Sequence, residues 1–89
     1  MKVLIDKSFD EDIAKVDDKK LLQRLADLIE HLENCKTPSE ISHLKKLKGA
    51  SDCYRIRIGD YRIGIRIQKG EIKLIRFLPR KTIYRFFPE

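Results

Sequence analysis

Residues 52 to 67, Asp-Cys-Tyr-Arg-Ile-Arg-Ile-Gly-Asp-Tyr-Arg-Ile-Gly-Ile-Arg-Ile, admit few folds. Large apolar residues alternate with arginine or glycine on both sides of Gly59-Asp60, and Gly-Asp between alternating runs is a two-residue hairpin signal. With that pair as the loop, Ile58 faces Tyr61, Arg57 faces Arg62, Ile56 faces Ile63, Arg55 faces Gly64 and Tyr54 faces Ile65. Alternation then puts Tyr54, Ile56, Ile58, Tyr61, Ile63, Ile65 and Ile67 on one face, which must be the core side. The other face carries Arg55, Arg57, Arg62 and Arg66.

Arg57 opposite Arg62 is a like-charge pair, disfavoured by up to about 1 kcal/mol. A face needing only solubility would mix in Glu, Thr or Lys. Two readings stand side by side: a solvated basic sheet face, or an anion-binding surface whose guanidinium forks suit phosphate. The balance of charge favours a polyanion, nucleic acid first, because 20 Lys and Arg against 14 Asp and Glu leave a net +6 on 89 residues.

A chain of this length forms one domain, residues 1–89, with a core that must use nearly all its apolar residues. Cys35 and Cys53 make no secreted disulfide framework and are expected as small buried residues, and no Cys/His cluster has metal-ligand spacing. With no signal peptide and no membrane-spanning stretch, the expectation is a reducing cytoplasm, no membrane partner and no cofactor.

Along the chain, residues 2–7 read as a buried strand. Ser8-Phe9-Asp10-Glu11 has capping-box spacing and opens a first helix presenting Phe9, Ile13 and Val16. From Lys19 to about Cys35, Leu21, Leu25, Leu28 and Leu32 recur at helical spacing, widened by Leu22 and Ile29. Thr37-Pro38-Ser39-Glu40 is a second start signal. The helix it predicts carries Ile41, Leu44 and Leu47, stops at Gly49 and turns His43, Lys45, Lys46 and Lys48 outward. After the hairpin, Lys69-Gly70 is another tight turn, and Glu71 to Leu78 reads as a fourth strand that places Phe77 opposite Arg62 and Ile75 opposite Gly64, on the arginine face. Pro79 ends it. In the tail, Arg80 and Tyr84 are spaced to share one side of a helical turn, and Phe86 and Phe87 are core or interface anchors.

An arginine-rich face beside lysines and tyrosines could bind RNA or cleave it without metal. Arginines suit stabilisation of a phosphorane. They cannot serve as base, so Tyr84, Lys45, Lys46, Lys48 and His43 stay open for that role, with His43 more often incidental on a surface helix. Asp52 and Asp60 read as turn residues.

Leu44-Lys45-Lys46-Leu47-Lys48-Gly49, Asp52-Cys53-Tyr54-Arg55-Ile56-Arg57, Asp60-Tyr61-Arg62-Ile63 and Arg80-Lys81-Thr82-Ile83-Tyr84-Arg85 together resemble the RelE/ParE superfamily of toxin-antitoxin toxins, the RelE branch in particular. The resemblance spans nearly the whole chain. It implies an α+β fold, an antiparallel sheet of about four strands packed on N-terminal helices in the order β-α-α-(α)-β-β-β. It also implies an mRNA endonuclease acting at the ribosome by 2′-OH attack and restrained by a cognate acidic antitoxin in a hetero-oligomer. Carried over by position, the catalytic set is Arg55, Arg57, Arg62, Arg80 and Tyr84. Lys45, Lys46, Lys48, Arg66, Lys73, Phe77 and Arg85 are the accompanying RNA contacts. This chain has Arg55 and Arg57 where the RelE branch often has lysines, one of them implicated as base, and Leu78-Pro79-Arg80 where relatives often carry Gly-His-Arg. The alternatives are a ParE-like toxin that inhibits DNA gyrase without cutting RNA, or a catalytically weak RNA-binding relative.

Overall fold

The computed structural model describes residues 1–88. The Tyr54–Ile67 hairpin forms in the expected register, with β3 (Cys53–Ile58) antiparallel to β4 (Tyr61–Gln68) and Arg57 directly across from Arg62. Gly59 takes φ +60°, as a primed hairpin turn with glycine first requires. To β4 is added β5 (Glu71–Pro79), and to the far side of β5 is added β1 (Lys2–Ile5), parallel. A fifth strand, β2 (Leu44–Lys46), pairs with β3, and the sheet order is β1-β5-β4-β3-β2.

That fifth strand replaces the third helix predicted over 38–48. Glu40 does accept from the backbone N–H groups of Lys36 and Thr37, both at 2.8 Å, yet the turn it caps is a short 3-10 segment, Pro38–Glu40. Leucines three apart fit a helix, but in a strand they point to opposite faces, and both faces here need one. Leu44 packs into the helix-side core and Leu47 against the tail. Pairing Leu44 with Ile56 and Lys45 with Arg55 also satisfies the backbone edge of β3.

Two helices cover the apolar face: α1 (Lys7–Ala14) and α2 (Lys19–Asn34). The cap of α1 is Asp6, which accepts from Ser8 N at 3.1 Å; the Ser8-x-x-Glu11 box is not the start. Asp18 caps α2, accepting from Leu21 N. Phe9, Leu21, Leu25 and Leu32 meet Ile56, Ile58, Ile63, Ile65, Ile72 and Leu74 in one core. Each such side chain contributes about 1.5–3 kcal/mol by leaving water. The edge strand β1 is half-buried, with Ile5 exposed, rather than buried as the apolar run implied.

Where β1 ends, α1 takes over the edge of β5. Asp12, 4% exposed, accepts from the Phe77 backbone N–H at 2.9 Å and from Arg76 Nε and Nη2 at 2.8 and 3.0 Å. The carboxylate thus continues the hydrogen-bond ladder that β1 leaves. A β-bulge at Ile75, between the Ile65–Leu74 and Gly64–Arg76 pairs, shifts the second half of β5 by one residue. A one-residue slip turns side chains to the other face. Phe77 therefore pairs with Ile63 and stacks on Tyr61 at 4.8 Å between ring centroids, in the core and away from the arginines.

Candidate functional site

The arginine face is shared with the C-terminal tail. After the turn at Arg80, α3 (Ile83–Phe86) returns over the sheet, and Ile83 and Phe87 are fully buried against Cys53, Leu47, Ile75 and Leu78. Gly64 makes this possible: a Cβ there would lie 2.5 Å from the Phe87 ring. On β4 the residues of this face run Arg62, Gly64, Arg66, so Phe87 sits between the two arginines and divides the row. Phe87 is a core anchor, while Phe86 is half-exposed beneath the Arg76 guanidinium, 5.0 Å from its ring centre.

On one side of that divide lies an open cleft of about 470 Å³ lined by Arg24, His43, Arg57, Gly59, Asp60, Arg62 and Arg80. Backbone geometry sets its arginines. Arg62 donates from Nη1 to the Gly59 and Tyr61 carbonyls at 2.9 Å each, clamping its guanidinium to the hairpin turn. The Arg80 N–H donates to Asp60 O at 2.8 Å, which fastens the end of β5 beside that turn. Arg55 donates from Nη1 to the His43 carbonyl at 3.0 Å, and its buried Nε has no partner. Burial pulls the Arg62 guanidinium below its ordinary value; the Arg55 charge adds to this, Tyr84 opposes it, and Arg57 and Arg80 act with Arg55. Arg55, Arg57, Arg80 and Tyr84, separated in sequence, thus all lie within electrostatic reach of Arg62. Among the described residues, no carboxylate forms an ion pair with any of the four arginines.

Tyr84 and Arg80 do not share a helical side as their spacing implied, because Arg80 lies in the turn before α3. Tyr84, 56% exposed, instead lines an adjoining cleft with Lys45, Lys46 and Lys48, now carried by β2 and the loop after it. Arg66 and Lys73 pair across β4 and β5 beyond Phe87, and Lys73 is bridged to Asp6 at 3.5 Å. They form a separate basic patch. Arg85 is exposed on α3, and Phe77 does not belong to the site. Burial pushes the Cys53 thiol up, with Arg66 opposing and Asp52 adding, which leaves it an inert core residue. Both cysteines are free and buried.

Two cleft residues were undervalued by sequence reasoning. Arg24 sits on the polar side of α2, and only the packing of that helix over the hairpin turn brings it in. The sequence places His43 on a helix surface; in the structure it precedes β2 with a left-handed backbone, φ +62°, and its Nδ1 lies 3.2 Å from Arg57 Nη2.

The sequence profile of the ParE toxin of type II toxin-antitoxin systems (parDE) matches residues 3–84. This chain belongs to the RelE/ParE superfamily of type II toxins. Within it, the RelE-like branch is favoured. The chain is 39% identical to Toxin RelE3 of Methanocaldococcus jannaschii over 89 residues, covering 99% of this chain and all of the relative. The RelB-RelE antitoxin-toxin complex of Methanococcus jannaschii contains a similar chain, with TM-score 0.81, 36% identity and coverage of 96% of this chain and 99% of that one. The archaeal RelE-RelB complex of Pyrococcus horikoshii OT3 gives TM-score 0.72 at 29% identity, over 89% and 93% of the two chains. The chain thus matches these toxins over 89 to 99% of its length.

Proposed function

We propose that this RelE-like toxin is a ribosome-dependent mRNA endonuclease that cuts by attack of a ribose 2′-hydroxyl on the adjacent phosphate. The observation that carries this reading is the cleft in which Arg57, Arg62 and Arg80 converge, with Arg55 beside them, without an ion-paired carboxylate among the described residues. Mutual repulsion among these groups is relieved by an anion, and forks held by backbone carbonyls suit the three equatorial oxygens of a phosphorane. Arg62 and Arg80 stabilise the charge that develops there, while Arg55 and Arg57 hold the flanking backbone. Tyr84, exposed beside Lys45, Lys46 and Lys48, offers a face for an unstacked base next to a basic groove. The partner in the cell is an acidic antitoxin that covers the arginine cleft or displaces the tail bearing Tyr84, forming a hetero-oligomer as RelB does with RelE in the related complexes.

Primer extension on a reporter mRNA after brief induction, with a parallel reaction in vitro with and without ribosomes, tests the reading. Cuts in codon register that require ribosomes are expected, and Arg80→Ala lowers them at least tenfold, about 1.4 kcal/mol. The match to the ParE profile keeps gyrase inhibition as the second reading. Growth arrest with intact mRNA would favour it and overturn the nuclease.

A further inference from the structure

We infer that His43 is the general base of the arginine cleft, the group that takes the 2′-hydroxyl proton of the bound RNA; this rests on the nuclease function proposed above. The need for such a group is chemical. Guanidiniums stay protonated and cannot accept a proton, and Lys45, Lys46, Lys48 and Tyr84 line the neighbouring cleft rather than the one where Arg57, Arg62 and Arg80 meet. Among the described residues lining the arginine cleft, only His43 and Asp60 can accept one, and a carboxylate is a far weaker base than imidazole near neutral pH.

The geometry orients His43 as a base requires. A guanidinium has donors only, so the contact of 3.2 Å between Arg57 Nη2 and His43 Nδ1 makes Nδ1 the acceptor. In that arrangement the ring presents a lone pair at Nδ1 and carries its proton on Nε2. Its backbone is fixed twice, since the His43 carbonyl accepts from Arg57 N at 3.4 Å and from Arg55 Nη1 at 3.0 Å. A left-handed conformation at a residue other than glycine is uncommon. Here that conformation carries the ring to the arginines. When a phosphate takes the Arg57 fork, Nδ1 is released at the place where the attacking hydroxyl arrives.

The O2′–H proton passes to Nδ1 while the O2′ electron pair forms the bond to phosphorus. The P–O5′ bond breaks, and O5′ takes a proton from water in the open cleft. The resulting hydroxide removes the imidazolium proton and restores the neutral ring. The products are a 2′,3′-cyclic phosphate and a 5′-hydroxyl end.

His43→Asn is the decisive variant. Asparagine tolerates the left-handed backbone and offers Oδ1 to Arg57 where histidine offers Nδ1, but it cannot take a proton. In ribosome-dependent cleavage, His43→Asn is expected to lower kcat about 100-fold or more with KM within about threefold. His43→Gly, also at ease with this backbone, should be equally slow and gain rate when imidazole is added. Wild-type rates in His43→Asn, a loss confined to KM, or a glycine variant that imidazole leaves unchanged would each overturn the assignment of the base. If Arg62→Ala were inactive in the same assay, the nuclease reading itself would survive. A wild-type chain that cuts no mRNA overturns both.

Discussion

On the helix side of the sheet, Phe9, Leu25, Leu32, Ile56, Ile63, Ile65 and Phe77 form one continuous core, whereas on the tail side Cys53, Ile83 and Phe87 are buried together and the rest of the surface is largely cationic. The same strands supply both. On β4 the helix-facing residues are all large and apolar, while the tail-facing ones are Arg62, Gly64 and Arg66, so a single residue without a side chain provides the seat for an anchor between two charges. The helix side holds the fold; the tail side gives up packing for an unneutralised cleft. Substitutions should separate the two accordingly.

The largest effect is expected where α1 closes the edge of β5. Asp12→Ala strands the Phe77 backbone N–H and removes the bidentate partner of Arg76 in a buried setting, which costs about 3–5 kcal/mol. Thermal unfolding followed by circular dichroism should show Tm lower by more than about 10 °C; a shift of only about 2 °C would show that this edge does not hold the fold. On the tail side, Gly64→Ala drives a methyl into the Phe87 ring and should cost about 1–3 kcal/mol by overpacking. Adding Phe87→Ala should remove that penalty, so urea titrations of the single and double variants should be non-additive by about 1 kcal/mol or more. Strict additivity would mean that the tail does not seat on Gly64.

A smaller effect is tied to pH. Hydrogen bonds from the Ser8 hydroxyl and N–H hold the Asp6 carboxyl below its ordinary value, as backbone N–H groups do for Glu40. A depressed folded value means stability that is complete above the unfolded carboxylate range and is lost as pH falls through the folded one. Asp6→Ala should therefore cost about 1 kcal/mol near neutrality, and the gap in Tm between variant and wild type should narrow below about pH 4. A gap that widened in acid would have the wrong sign.

The regions that could be read from sequence are those where one local rule meets no competitor. Gly59-Asp60 and its alternating flanks give the hairpin register residue for residue, and the leucines of α2 give its buried stripe. Leu44 and Leu47 illustrate the ambiguity of a three-residue spacing: it fits a helix face or the two faces of a strand, and the open edge of β3 selects the strand. The bulge at Ile75 carries no glycine, so the two-residue turn at Lys69-Gly70 sets a register that is right only as far as Leu74. For the candidate site, the arginines were readable because they alternate with isoleucines, and their division by Phe87 was not, because Gly64 and Phe87 meet only after the tail folds back. His43 lost its place in the cleft with the helix wrongly assigned to it.

The most direct test of a structural helix side and a functional arginine side is to measure unfolding and ribosome-dependent cleavage on one preparation of Arg62→Ala. Two hydrogen bonds to turn carbonyls are lost and repulsion from Arg55, Arg57 and Arg80 is relieved, so stability should change by about 1 kcal/mol or less. Cleavage should fall about 100-fold, the scale for removing a preorganised charge donor. Undiminished cleavage, or a loss that follows the unfolded fraction, would contradict the account.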